Sequence, residues 1–285
     1  MKRSAGLAAF SLFLFSSLMF GQAPEAGGQR GQRGQRGQRG QRGQQQPTQP
    51  AAPTPHFKDG SVNLGAASGE KGFWNVGTTS VYGRGGLPGN LTVEEIPFQP
   101  WARALFQYRQ TTSTKDDPHA RCVPDGGIHF WQLTNGVEVI QQPELNRIIM
   151  IAGHNHIWKV VHMEPGRVHP SPDVITYGYL GDAIGHWEGE TLVIDTVGFN
   201  EKFWFHRGGL PHTSEMHLIE RITRVDHDTL KYEATLDDPG AYTKPWSGGS
   251  LIHWQTTNYD GSPGGEIDEY YCMDNEKDSQ HFASK

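Results

Sequence analysis

Residues 229–237 read TLKYEATLD. On an extended chain Leu230, Tyr232, Ala234 and Leu236 share one side, and Lys231, Glu233 and Thr235 share the other. That period-two pattern is a half-buried antiparallel strand. His217–Arg224 alternates around charge just before it, and Val225-Asp226-His227-Asp228 is the turn between the two. Asn146–Ala152 and Ile157–Met163 are apolar-rich and flank a turn-like Gly-His-Asn. TLVIDTV, residues 191–197, follows a tight turn at Gly189, and Leu251–Tyr259 and Glu266–Cys272 flank the Gly/Pro turn DGSPGG.

Helical periodicity is scarce. Pro100–Thr111 is the one helix candidate, with proline in its first turn and Trp101, Leu105 and Tyr108 recurring as an apolar face. Short strands at this spacing predict an all-β fold, an antiparallel meander closed into a lipocalin-like barrel with one short helix near 100–111. A β-sandwich is the alternative.

The chain ends change the picture of where the protein works. Lys2 and Arg3 precede an apolar run from Leu7 to Phe20, too short to span a bilayer as a helix and patterned as a signal peptide over residues 1–22. Residues 23–55 hold a GQR repeat and a Gln/Pro stretch that cannot bury a core, so they read as a disordered linker. Residues 56–285 make a single β-rich domain. No later segment is apolar enough to be a transmembrane helix, so the mature protein is expected to be exported, to the periplasm or beyond.

Residues 1–46 carry seven of the 25 Lys and Arg and one of the 31 Asp and Glu, leaving the rest of the chain at a net −12. A basic tail on an acidic domain suits an anionic envelope surface, or acts as a plain spacer. Export argues against a nucleic-acid partner. In an oxidising compartment the two cysteines, Cys122 and Cys272, are expected to form a disulfide.

Candidate chemistry begins at GHNHIWKVVHM, residues 153–163. His154 and His156 have the spacing of a same-face pair, but His162 lies about 20 Å further along a strand and cannot join them. The Gly-His-Asn turn also places His154 on a loop. A metal site drawn from His156, Glu215 and His217 is one reading, and a divalent transition metal its cofactor. His186, with Asp182 and Asp195, is an acid/base reading, because imidazole moves protons near neutral pH and a carboxylate orients it. Asp195, inside an apolar strand, needs a partner, either Arg221 or Arg224 or a polar lumen. Trp158, Trp187, Trp204 and His212 are candidates for holding a small organic ligand. No zinc-protease helix, cupin pattern, nucleophile elbow, P-loop or dinucleotide fingerprint is present.

Four stretches, DPHARCVPDG (117–126), GDAIGHWEGETLVIDTVGFN (181–200), HTSEMHLIERITR (212–224) and DTLKYEATLDDPGAYTKPW (228–246), resemble a large family of exported proteins of soil bacteria. The resemblance covers most of residues 90–280. It implies a signal peptide and one β-rich domain, and it transfers no catalytic residue. In that family the segment matching 148–170 runs strand, a turn ending in histidine, strand, then an acid-or-Pro–Gly–Arg turn, here with His156 and Pro165-Gly166-Arg167; His154 stands where a non-histidine residue is expected.

Three functions fit these residues. The first is an exported barrel that binds, and acts on, a small organic ligand in an aromatic and histidine-lined cavity. The second is a metal-dependent enzyme, and the third a non-catalytic envelope-associated protein.

Overall fold

The computed structural model describes residues 51–83, 85–133, 135–154, 157–258, 261–267, 270 and 272. The signal-like run, the GQR repeat and His156 lie outside the described residues. Ala52–Pro55, assigned above to the linker, are bound to the domain: the Ala52 and Pro55 carbonyls accept from the backbone N–H of His227 and Asn63.

Nine strands form a closed barrel in chain order. They are β1 (Phe73–Asn75), β2 (Val137–Gln142), β3 (Arg147–Ala152), β4 (Ile157–His162), β5 (Asp182–Glu188), β6 (Thr191–Val197), β7 (His217–Asp226), β8 (Thr229–Asp237) and β9 (Trp246–Gln255). β1 closes on β9 through Phe73–Gln255, Trp74–Trp254 and Asn75–His253. A ring of nine sequential strands cannot alternate direction all the way round, so one neighbouring pair must run parallel. That pair is β4–β5, in register at Val161–Ala183 and His162–Ile184. The meander expectation is corrected at this point. A parallel return needs a long crossover, and the Gly/Pro-rich segment 163–181 supplies it across the outside of the sheet.

Two further expectations change. β9 begins at Trp246 rather than near Leu251, because Gly248 and Gly249 interrupt the alternation on which the sequence reading relied. A Cβ on Gly248 would lie 1.7 Å from the Val81 carbonyl oxygen, so this strand position admits only glycine. The expected strand Glu266–Cys272 is absent among its described residues. α1 spans Pro100–Thr112, but it buries Ala102 and Phe106 and leaves Trp101 and Tyr108 exposed, so its packed face is not the one predicted.

Inward-facing side chains fill the barrel. In β8 the buried positions are Leu230, Tyr232, Ala234 and Leu236, as the alternation predicts. The buried 3₁₀ turn Gly127–Gln132 contributes Ile128, Phe130 and Trp131 to the same core. Within it sits a buried charge pair: Lys159 Nζ is bonded to Glu220 Oε2. Glu220 Oε1 also accepts from Trp131 Nε1 at 2.8 Å and from the Tyr232 hydroxyl at 3.1 Å. Arg224, also expected to serve Asp195, instead donates to the carbonyls of Asn63, Gly65 and His227 and stacks over Trp74 and Trp254.

Candidate functional site

Strand alternation turns Asp182, Asp195 and His217 to the outer face of β5–β6–β7. Asp195 pairs across with Ile219, so His217, two residues earlier, is its diagonal neighbour on the same face. His217 Nε2 lies 2.6 Å from Asp195 Oδ1. The crossover then sets His169 between the two carboxylates, with Nδ1 2.7 Å from Asp182 Oδ2 and Nε2 3.1 Å from Asp195 Oδ1. Arg167 Nη2 completes the chain, 2.5 Å from the other Asp182 oxygen. Each ring nitrogen of His169 thus faces a carboxylate oxygen, and Asp195 Oδ1 is shared by two imidazoles.

These contacts shift the charges in a consistent direction. Partial burial pushes both carboxyls up, but hydrogen bonds outweigh it. Asp182, held by His169 and Arg167, and Asp195, held by His217 and His169, both end below the ordinary carboxylate range. The hydrogen bond to Asp195 raises His217 above the usual imidazole value despite its partial burial.

The network borders a cleft of about 400 Å³ lined by His169, Pro170, Ile175, Val197, Glu215 and Met216. Gly198 shapes its floor: at φ +77°, a Cβ there would lie 2.5 Å from the Ile175 side chain. A larger concavity, about 600 Å³, is lined by His56, Asp59 and Asn63. Its histidine, His56, is bonded to the exposed Glu190.

The other predicted residues are dispersed. His186 is exposed, 3.2 Å from Glu188, which also pairs with Arg221 at 2.8 Å. Arg221 is therefore engaged along this hairpin, and the partners of Asp195 are His169 and His217 rather than either arginine. Glu215 stands on the cleft wall, while the Nε2 of His217 is committed to Asp195. Trp158 is 63 % exposed on the wall of a second, apolar cleft of about 410 Å³ with Pro124, Ile157 and Tyr179. Trp187 is half-buried beside Ile148 and Met163. Trp204 is buried beneath the Arg109 guanidinium, and His212 is buried between Phe203 and Phe205 with Nε2 2.9 Å from the Asn200 carbonyl.

Compared with protein-family models, curated proteins and solved structures, the chain shows no match.

Sequence reading missed two groups. His169 and Arg167 lie in the Gly/Pro-rich connection EPGRVHP, where the signal was an Arg-x-His pair in a loop with no strand pattern to aim it. The second group is His119, Asp125 and His129, whose possible ligand atoms all lie within 4.8 Å of one another. The signal there was the spacing H-x5-D-x3-H around Cys122 in DPHARCVPDGGIH. Cys122 is bonded to Cys272, as expected.

Proposed function

We propose that this is an exported barrel protein that binds a small organic molecule in the cleft between the 163–181 crossover and the outer face of β5–β7, and exchanges a proton with it through His217. The observation that carries this reading is the continuous chain Asp182–His169–Asp195–His217, which reaches the cleft wall at His169 and adjoins it at Met216. Asp195 holds the Nε2–H of His217, which orients the ring, leaves Nδ1 to take a proton and makes the imidazole more basic. His169 and Arg167 keep the acids ionised behind it. The cleft volume falls within the range of small-molecule sites. Pro170, Ile175, Val197 and Met216 suit an apolar body, and His169, Ser214 and Glu215 a polar end. The packed interior moves the ligand reading from the lumen to this outer cleft.

Export rests on the signal-like N-terminus and is compatible with the Cys122–Cys272 disulfide. No described helix is long and apolar enough to cross a membrane. Kinship with the exported soil-bacterial family belongs to the same proposal, as does the association of the Arg-rich tail with anionic envelope lipids.

A fragment screen followed by methyl and histidine NMR tests the cleft. Fragments with an aromatic or alicyclic body and one polar group are expected to shift the Ile175 and Met216 methyls and the His217 ring together. Val197→Trp, which fills the cleft, should abolish those shifts. Hits that bind Val197→Trp as well as wild type would place the ligand elsewhere.

A further inference from the structure

At a different place in the fold, residues 117–129 bring three imidazole and carboxylate side chains into contact. His119 is the second residue of the 3₁₀ turn Pro118–Arg121, and His129 lies in the buried turn Gly127–Gln132. Asp125, between them, is 1 % exposed and touches both: its Oδ2 lies 2.6 Å from His119 Nδ1 and its Oδ1 3.2 Å from His129 Nδ1. Asp117, also buried, caps the first turn by accepting from the His119 N–H at 3.0 Å. A third histidine joins. The His154 ring stacks on His119 at 4.4 Å between centroids, and Tyr270 covers its other face at 4.2 Å. His154 is 6 % exposed, yet its Nε2 has no hydrogen-bond partner among the described residues. The Cys122–Cys272 disulfide holds Tyr270 over this stack.

Two buried carboxylates beside three imidazoles, one with an orphaned nitrogen, are costly for a purely structural cluster. A cation bound among His119, Asp125 and His129 answers the charge, and a small molecule on its open position answers the His154 nitrogen. We propose that His119, Asp125 and His129 bind one divalent first-row transition ion, with His154 as the adjoining further imidazole. Two ring nitrogens and one carboxylate oxygen suit zinc, cobalt or iron(II) rather than calcium or magnesium, which take oxygen ligands. Three protein ligands leave a coordination position for a small molecule. Ligation needs unprotonated ring nitrogens, so binding releases protons. This inference is independent of the outer cleft.

The test uses the full chain without a His-tag, stripped with a chelator and dialysed against Co²⁺. One equivalent should bind with a visible ligand-field spectrum and raise the melting temperature, while Mg²⁺ does neither. His119→Gln and Asp125→Asn should weaken binding by about 100-fold or more. His217→Gln should bind as wild type does, which separates this centre from the outer-face network. Absence of stoichiometric Co²⁺ in folded wild type overturns the proposal, as does undiminished binding by folded His119→Gln. If the variants fail to fold, X-ray absorption on cobalt-loaded wild type decides. Imidazole scattering in the first shell supports the site, and an all-oxygen shell overturns it.

Discussion

Asp195 Oδ1 receives His217 Nε2 at 2.6 Å across the outer face of two neighbouring strands. The same oxygen meets His169 from the crossover at 3.1 Å. One carboxylate thus ties the β6–β7 ladder to the crossover that lets β4 and β5 run parallel.

This contact sets the titration of His217. Its midpoint should lie above the ordinary imidazole value of about 6.5 and fall towards or below it in Asp195→Asn. Side-chain ¹⁵N chemical shifts followed against pH measure both. An unchanged midpoint in the variant would remove Asp195 as the cause.

The network also links stability to pH. Asp182 and Asp195 have folded values below their unfolded ones, so their contribution is present above about pH 4 and lost as pH falls through the depressed values. His217 has a raised folded value, so its contribution is present below about pH 6.5 and lost as pH rises through that value. The stability difference between wild type and Asp195→Asn should therefore peak between about pH 4 and 6.5. Urea unfolding across pH reads it; a flat difference contradicts the linkage.

His206 acts in the opposite sense to His217. Complete burial pushes it down to about 3, and its Nδ1 accepts from the Gly208 N–H at 2.8 Å. The unfolded chain takes up a proton near pH 6.5 that the folded chain refuses. Stability should then fall by about 1.4 kcal/mol per pH unit on acidification below that point from this residue alone. His206→Gln, compared with wild type by urea unfolding, should show a shallower acid slope.

Inside the barrel, Lys159 neutralises Glu220. Lys159→Met leaves a carboxylate buried without its cation and should cost about 3–5 kcal/mol. Adding Glu220→Gln should recover part of that loss, because the amide oxygen still accepts from Trp131 and Tyr232. A double-mutant cycle by urea denaturation measures the coupling, and additive losses would contradict it.

The disulfide closes a loop of 150 residues. In the chain-entropy account such a link contributes up to about 4–5 kcal/mol. Cys122→Ser/Cys272→Ser should unfold at correspondingly lower guanidinium, and reductant should shift wild type in the same direction. Because Tyr270 is anchored beside Cys272, the His154 ring should also become more exposed, read as faster modification by diethyl pyrocarbonate.

Much of this fold is written in local pattern. Period-two alternation in TLKYEATLD names the buried face of β8, because one face of that strand meets the core and the other does not; in β7 the charge of Glu220 and Arg224 on the buried face hides it. The pairing of Cys122 with Cys272 follows from there being two cysteines and an expected oxidising address. Where side chains vanish, the pattern does too: Gly248 and Gly249 hide the start of β9, and β1, three residues long, carries no period at all.

The sites depend on placement that no local pattern encodes. Asp182, Asp195 and His217 are visible as polar residues on strands, but which of them meet is set by register, through the Asp195–Ile219 pairing. His169 joins them only because a nine-strand ring forces a parallel pair and so lays the crossover over that face. His119, Asp125 and His129 are close in sequence, yet their convergence needs two tight turns, and His154 reaches them from the β3–β4 connection. Read alone, the chain specified the strands with clear apolar or alternating pattern, the inward face of β8 and the disulfide, because those follow from side-chain chemistry at fixed spacing. Tertiary structure decided which acids and imidazoles share a site, because ring closure and register bring together residues that local spacing cannot relate.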